Sequence, residues 1–77
     1  MPNITIYTTP ICSFCKMAKG FFSNHNLSYR EKDVTSDDEA LHEMLDKSGQ
    51  MGVPVIDIDG EIVVGFDKRR LNQLLGV

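Results

Sequence analysis

Two cysteines, Cys12 and Cys15, stand in the stretch "TTPICSFCK" at residues 8–16, and they are the only thiols in the chain. Thiols three positions apart can form half of a metal site, a structural crosslink or a redox couple. A structural zinc site wants four ligands, and the only imidazoles, His25 and His42, stand at spacings foreign to zinc-finger patterns. A disulfide closing so short a loop would restrain the unfolded chain by only about 2 kcal/mol, across one helical turn that is already held. The redox couple fits better. Residues three apart at the start of a helix share a face with Cβ atoms about 5–6 Å apart, so a small adjustment closes the disulfide while the dithiol is unstrained.

The two thiols are not expected to be equivalent. Cys12, at a strand-to-helix junction, meets unpaired N–H groups and the positive end of the helix dipole, which favour a thiolate. Cys15, one turn in, is expected to be more buried and less acidic. Lowering Cys12 from about 8.5 to about 6 raises its thiolate fraction at pH 7 roughly thirtyfold but cuts its intrinsic nucleophilicity about 13-fold, for a net gain of about two- to threefold. The larger benefit comes later, because a stabilised Cys12 thiolate leaves more readily when Cys15 attacks the mixed disulfide. Attack by Cys12 and resolution by Cys15 is the expected chemistry.

The surrounding elements must hold this pair in place. "NITIYTT" alternates and is rich in β-branched residues, predicting a strand over Ile4 to Tyr7. Pro10 marks a turn. From Cys12, the spacing of Cys15, Ala18 and Phe22, with Met17 and Phe21 beside them, predicts a helix ending near Asn24. "LSYREKDV" predicts a second strand. Ser36 followed by Glu39 reads as a capping box for a helix with an apolar stripe of Leu41, Met44 and Leu45, and Gly49 as its stop. "VPVIDIDGEIVVGF" places Asp59 and Gly60 between two apolar runs, which predicts a tight hairpin. Asp67 then caps a short helix that turns Leu71, Leu74 and Leu75 inward. The order β-α-β-α-β-β-α predicts a single α/β domain over residues 1–77, a four-stranded mixed sheet with helices on both faces.

Composition narrows the function classes. With 77 residues, 42% of them hydrophobic and 25% charged, the chain reads as an ordinary globular domain, and its net charge of −3 argues against general nucleic-acid binding. No apolar run approaches membrane-span length, and "MPNITIY" lacks a basic segment followed by an apolar one. The expectation is a cytoplasmic monomer with no membrane association, in a compartment where a disulfide is more often transient and catalytic than structural.

"IYTTPICSFCKMAKGFF", "GVPVIDIDGEIVVGFD" and the closing leucine helix together resemble a glutaredoxin, in register over essentially the whole chain. The resemblance implies the thioredoxin-like fold, a redox-active disulfide between Cys12 as exposed nucleophile and Cys15 as resolving thiol, and a cis Val53–Pro54 bond facing the cysteines. Proline's missing N–H fits that placement, leaving Val53's backbone to pair with an extended thiol substrate. Glutathione-using members contact the γ-glutamyl end through an aspartate matching Asp67, next to Gly65 and Phe66; Asp67 is equally a natural helix cap, and the roles can coexist. Phe14 matches the usual aromatic position and could equally be simple packing.

Departures from the family pattern bear on the electron donor. Thr9 and Met51 replace basic residues that would hold a glycyl carboxylate, although Gln50 remains, and Val64 replaces a second glycine. They move the expectation from glutathione toward redoxins recycled by NADPH and thioredoxin reductase, including NrdH-type donors to ribonucleotide reductase. Lys68, Arg69 and Arg70 supply replacement charge or simply a solvated helix face. Lys16 and Lys19 stabilise the Cys12 thiolate or are ordinary exposed lysines. The expected function is reduction of protein disulfides or glutathione mixed disulfides with no bound cofactor. The alternative is an iron–sulfur carrier in which two chains each donate Cys12 and glutathione fills the other positions. Ser13, after the first cysteine, matches dithiol members that do this, and thiolates suit such a cluster.

Overall fold

The computed structural model describes residues 2–77. Strand β1 (Ile4–Thr8) lies inside the sheet, with Ile4 and Ile6 turned to one core and Tyr7 to the other. Helix α1 (Ser13–Asn24) follows, then β2 (Arg30–Asp33), α2 (Asp38–Ser48), β3 (Val55–Ile58), β4 (Glu61–Val64) and α3 (Lys68–Leu75). The sheet order is β2-β1-β3-β4, with β1 and β2 parallel and the other pairs antiparallel. This is the mixed α/β sheet that the element order predicts.

Two cores sandwich the sheet. On one face Ala18, Phe21 and Phe22 of α1 and Leu71 of α3 pack on Ile4, Ile6, Ile56, Ile58 and Val63. Leu74 and Leu75 close its edge, half-buried. On the other face Ala40 and Met44 of α2 meet Tyr7, Val34 and Val55. Side chains alternate between faces along β1 and β3, so a one-residue slip in register would exchange the two cores.

Two local readings differ from the sequence expectation. The second strand is shorter than "LSYREKDV", because Leu27 and Tyr29 leave the ladder to pack against the α1 core after a turn in which Asn26 takes φ 55°. Helix α2 is capped by Asp37 instead of Ser36: the Asp37 carboxylate accepts the Ala40 N–H at 3.2 Å. Ser36 is held in the preceding turn, donating from its N–H to the Asp33 carbonyl at 3.3 Å. Thr35 donates its N–H and hydroxyl to the Asp33 carboxylate, and these hydrogen bonds, with those from Ser36, hold that carboxyl below its ordinary range. Met17 flanks the buried stripe formed by Cys15, Ala18 and Phe22 and is 51% exposed.

The hairpin forms as the Asp-Gly signal predicts. Asp59 and Gly60 both have positive φ, 51° and 93°, and Asp57 accepts the Gly60 N–H at 2.8 Å.

Candidate active site

The cysteines are placed by a tightly held strand end. Thr8, the last residue of β1, is buried; its hydroxyl donates to Glu31 of β2 at 3.3 Å, and its carbonyl accepts the Val34 N–H at 3.0 Å. Glu31 also accepts from Lys19 of α1 at 2.7 Å, so one carboxylate joins the strand end to the helix that carries the thiols. A turn closed from the Cys12 N–H to the Thr9 carbonyl delivers Cys12 to the helix N-terminus.

Cys12 is the N-cap of α1, not its first helical residue. Its Sγ accepts the backbone N–H of Cys15 at 3.1 Å, as a serine or aspartate oxygen would in the same position. The two cysteines form a disulfide with Cα atoms 5.2 Å apart. Cys12 is partly exposed and Cys15 is 1% exposed. No acidic residue occupies the first turn of α1, so nothing there opposes negative charge on Cys12.

Strand register gathers the other candidates at the same end of the sheet. Tyr7 pairs with Val55 and Val55 with Val64, so the segments beyond those residues, 9–12, 53–54 and 65–67, leave one end together. The Val53–Pro54 bond is cis. Pro54 is buried and its carbonyl accepts the Gly65 N–H at 2.8 Å, which couples two of the three segments directly. Val53 is half-buried against the Tyr7 core, and its backbone makes no backbone hydrogen bond with the described residues. Phe66 sets its ring edge-on to Phe21 with centroids 6.1 Å apart. Asp67 caps α3 by accepting the Arg70 N–H at 3.1 Å.

The glutaredoxin family model matches residues 4–63, which include the cysteine pair and the strand after Pro54. This chain belongs to the glutaredoxin family. A glutaredoxin-like 8.6 kDa protein of the rubredoxin operon of Clostridium pasteurianum is 42% identical over 72 residues, covering 94% of this chain and 96% of that one. Glutaredoxin 3 of Escherichia coli is 34% identical, covering 87% of this chain and 81% of the relative. The crystal structure of the thioredoxin-like protein BC3987 superposes with a TM-score of 0.88 at 38% identity, covering 94% and 99% of the two chains. With its paired cysteines, this glutaredoxin is a thiol-disulfide oxidoreductase.

Several side chains of this glutaredoxin have environments that the sequence did not disclose. Ile11 is 92% exposed beside Cys12, and Phe14, Met17 and Met51 are also exposed. A burial argument passes over such residues, because an isolated exposed apolar side chain is ordinary. Gln50 folds back on its own loop, accepting the Gly52 N–H and donating to the Gly52 carbonyl at 3.0 Å and the Ser48 hydroxyl at 3.3 Å. It is a loop clamp. Lys19 gives its ammonium to Glu31, whereas Lys16 is exposed on the cysteine helix. Arg70 reaches Glu61 at 3.6 Å. His25 and His42 lie at the surface, and among the described residues no group of three His, Cys, Asp or Glu side chains converges as a metal site.

A polar network on the α2 face escaped the sequence reading altogether. The Tyr7 hydroxyl donates to Glu43 at 2.8 Å and accepts from Lys47 at 3.0 Å, while Lys47 also donates to Asp57 at 2.7 Å and Lys32 to Glu43 at 2.8 Å. Hydrogen bonding to Asp57 and Tyr7 raises the Lys47 ammonium well above its ordinary value. Burial pushes Asp57 upward, but the Lys47 hydrogen bond and the Gly60 N–H together outweigh it and hold the carboxyl low. Glu43 is lowered by hydrogen bonds from Lys32 and Tyr7, and Lys32 is raised by the same bond to Glu43. The network lies on the sheet face opposite α1 and serves to dock α2.

Proposed function

We propose that this glutaredoxin reduces protein disulfides by a dithiol mechanism in which Cys12 attacks and Cys15 resolves. The observation that carries the reading is the unequal setting of the two sulfurs: Cys12 is partly exposed and faced by the Cys15 N–H, whereas Cys15 is buried. Reduced Cys12 attacks one sulfur of the target as a thiolate, forming a mixed disulfide and releasing the first target thiolate, which takes up a proton. Cys15 then loses its proton and attacks the Cys12 sulfur. The second target thiolate departs, leaving the Cys12–Cys15 disulfide. Two electrons have passed to the target, and a reductant outside the chain returns them.

Phe14, Val53, Pro54, Gly65, Phe66 and Asp67 form the substrate surface in this reading. Val53 is the pairing residue, since its backbone makes no backbone hydrogen bond among the described residues and a substrate strand can use it. Pro54 and Gly65 fix that loop by their mutual hydrogen bond. Asp67 retains an exposed carboxylate while one oxygen caps α3.

The reductant in this reading is NADPH acting through thioredoxin reductase, with glutathione a slower donor. Thr9 and Met51 offer no charge to a glycyl carboxylate, and Gln50 is occupied with its own loop. No bound cofactor enters the reaction. The test offers the oxidised protein separately to reduced glutathione and to NADPH with thioredoxin reductase, following Cys12–Cys15 reduction by chromatography. Faster reduction by the reductase is expected; faster reduction by glutathione would overturn the preference.

A further inference from the structure

Gly20 lies in the interior of α1, exposed and in helical conformation, where glycine is the least favourable residue after proline. A Cβ placed there meets nothing within 4 Å, so neither backbone conformation nor close packing accounts for it. What the missing side chain leaves open is a groove of about 380 Å³, lined by Met17, Gly20, Phe21 and Asn24 of α1 and by Phe66 and Lys68 at the start of α3.

The groove continues the surface around Cys12. Phe14 and Met17 are three apart on α1, hence neighbours on the helix, and both are exposed, forming an apolar track from the cysteine turn into the groove. Gly20 lies eight residues beyond Cys12, roughly 12 Å of helical rise, which an extended chain covers in about four residues. Lys68 is the charged side chain among the residues that line the groove, next to the exposed helix cap Asp67. Lys19 and Arg70 are neutralised by Glu31 and Glu61, but Lys16 and Lys68 make no ion pair among the described residues.

We propose that this groove is a specificity site for the protein substrate, taking a large apolar side chain about four residues from the reacting cysteine, with an adjacent acidic residue meeting Lys68. The assignment rests on the reading of Cys12 and Cys15 as a couple acting on protein disulfides. Each turnover converts one substrate disulfide to two thiols and the protein dithiol to the Cys12–Cys15 disulfide, so substrate selection leaves the electron balance unchanged.

The test uses two undecapeptides, each oxidised to a dimer through a central cysteine. One carries Leu and Glu at the fourth and fifth positions on either side of the cysteine, and the other carries Ser and Lys there. Fully reduced protein is mixed with excess peptide dimer, quenched in acid and resolved into dithiol and disulfide forms. Rates are divided by those on bis(2-hydroxyethyl) disulfide, which is too small to reach from Cys12 to the groove. The parental protein is expected to half-saturate at about a tenfold lower concentration of the Leu-Glu peptide. Gly20→Leu fills the groove with a better helix former and should cut that advantage to about twofold or less, and Lys68→Glu should cut it in part. Equal half-saturation by the two peptides, or an advantage untouched by a Gly20→Leu protein with parental circular dichroism, overturns the groove assignment. Failure of both peptides and of bis(2-hydroxyethyl) disulfide to oxidise the dithiol overturns the reading beneath it.

Discussion

A sulfur in the N-cap position gains an amide N–H, the helix dipole and freedom from nearby acid, and Cys12 has all three. In the Cys15→Ser protein, where Cys12 titrates alone, the thiolate absorbance should rise with a midpoint well below the ordinary value of about 8.5. A midpoint near 8.5 would show that the helix terminus does not activate it. The cysteines were legible at this scale because their spacing alone fixes a shared helix face. Met17, read as flanking the apolar stripe, lies just outside its arc and is exposed. Ser36 and Asp37 are both good caps, and the local turn in which Thr35 and Ser36 bond Asp33, an Asx-type contact that the capping-box pattern passes over, leaves the role to Asp37.

The site is an assembly of element ends, and their anchors lie some distance from the sulfurs. The loop before Pro54 is shaped by the Gln50 amide gripping Gly52, and a Cβ on Gly52 would lie 2.6 Å from the Gln50 Oε1. Gly52→Ala should displace that amide, costing about 1 kcal/mol by denaturant unfolding, and should slow reduction of peptide disulfides more than alkylation of Cys12. Equal slowing of the two would place the effect on the thiol instead of the loop. Helix α2 depends on the Lys47–Asp57 pair. Asp57 is held below its unfolded value, so its contribution is fully present above about pH 4 and fades as pH falls through the lowered value. Lys47, raised above its unfolded value, contributes at all pH below about 10 and loses that contribution only in stronger alkali. Asp57→Asn should therefore cost about 1 kcal/mol at pH 7, discounted for the partly exposed Lys47, and less at pH 3. A difference independent of pH would mean that the charge contributes nothing. The α2 network was not legible in the sequence, because Tyr7 and Asp57 meet Glu43 and Lys47 only through tertiary packing.

Across the whole molecule, the element order, the hairpin and the two-faced sheet followed from periodicity and turn chemistry, since each helix and strand carries its own punctuation. The convergence of three segments at one sheet end did not, because it depends on strand register. That convergence supports the proposed substrate surface, while the unequal setting of the two sulfurs carries the dithiol mechanism, and trapping tests that mechanism most directly. Reduced Cys15→Ser protein, mixed with a disulfide-linked peptide in the absence of low-molecular-weight thiol, should accumulate a covalent adduct through Cys12, seen by mass spectrometry as protein plus one peptide half. Only a thiol one turn away resolves such a bond at high effective concentration. The parental protein should pass to its internal disulfide without accumulating the adduct, and Cys12→Ser should form none. A folded Cys15→Ser protein that released both peptide thiols at the parental rate, with no trapped intermediate, would contradict the assignment of Cys15 as the resolving thiol.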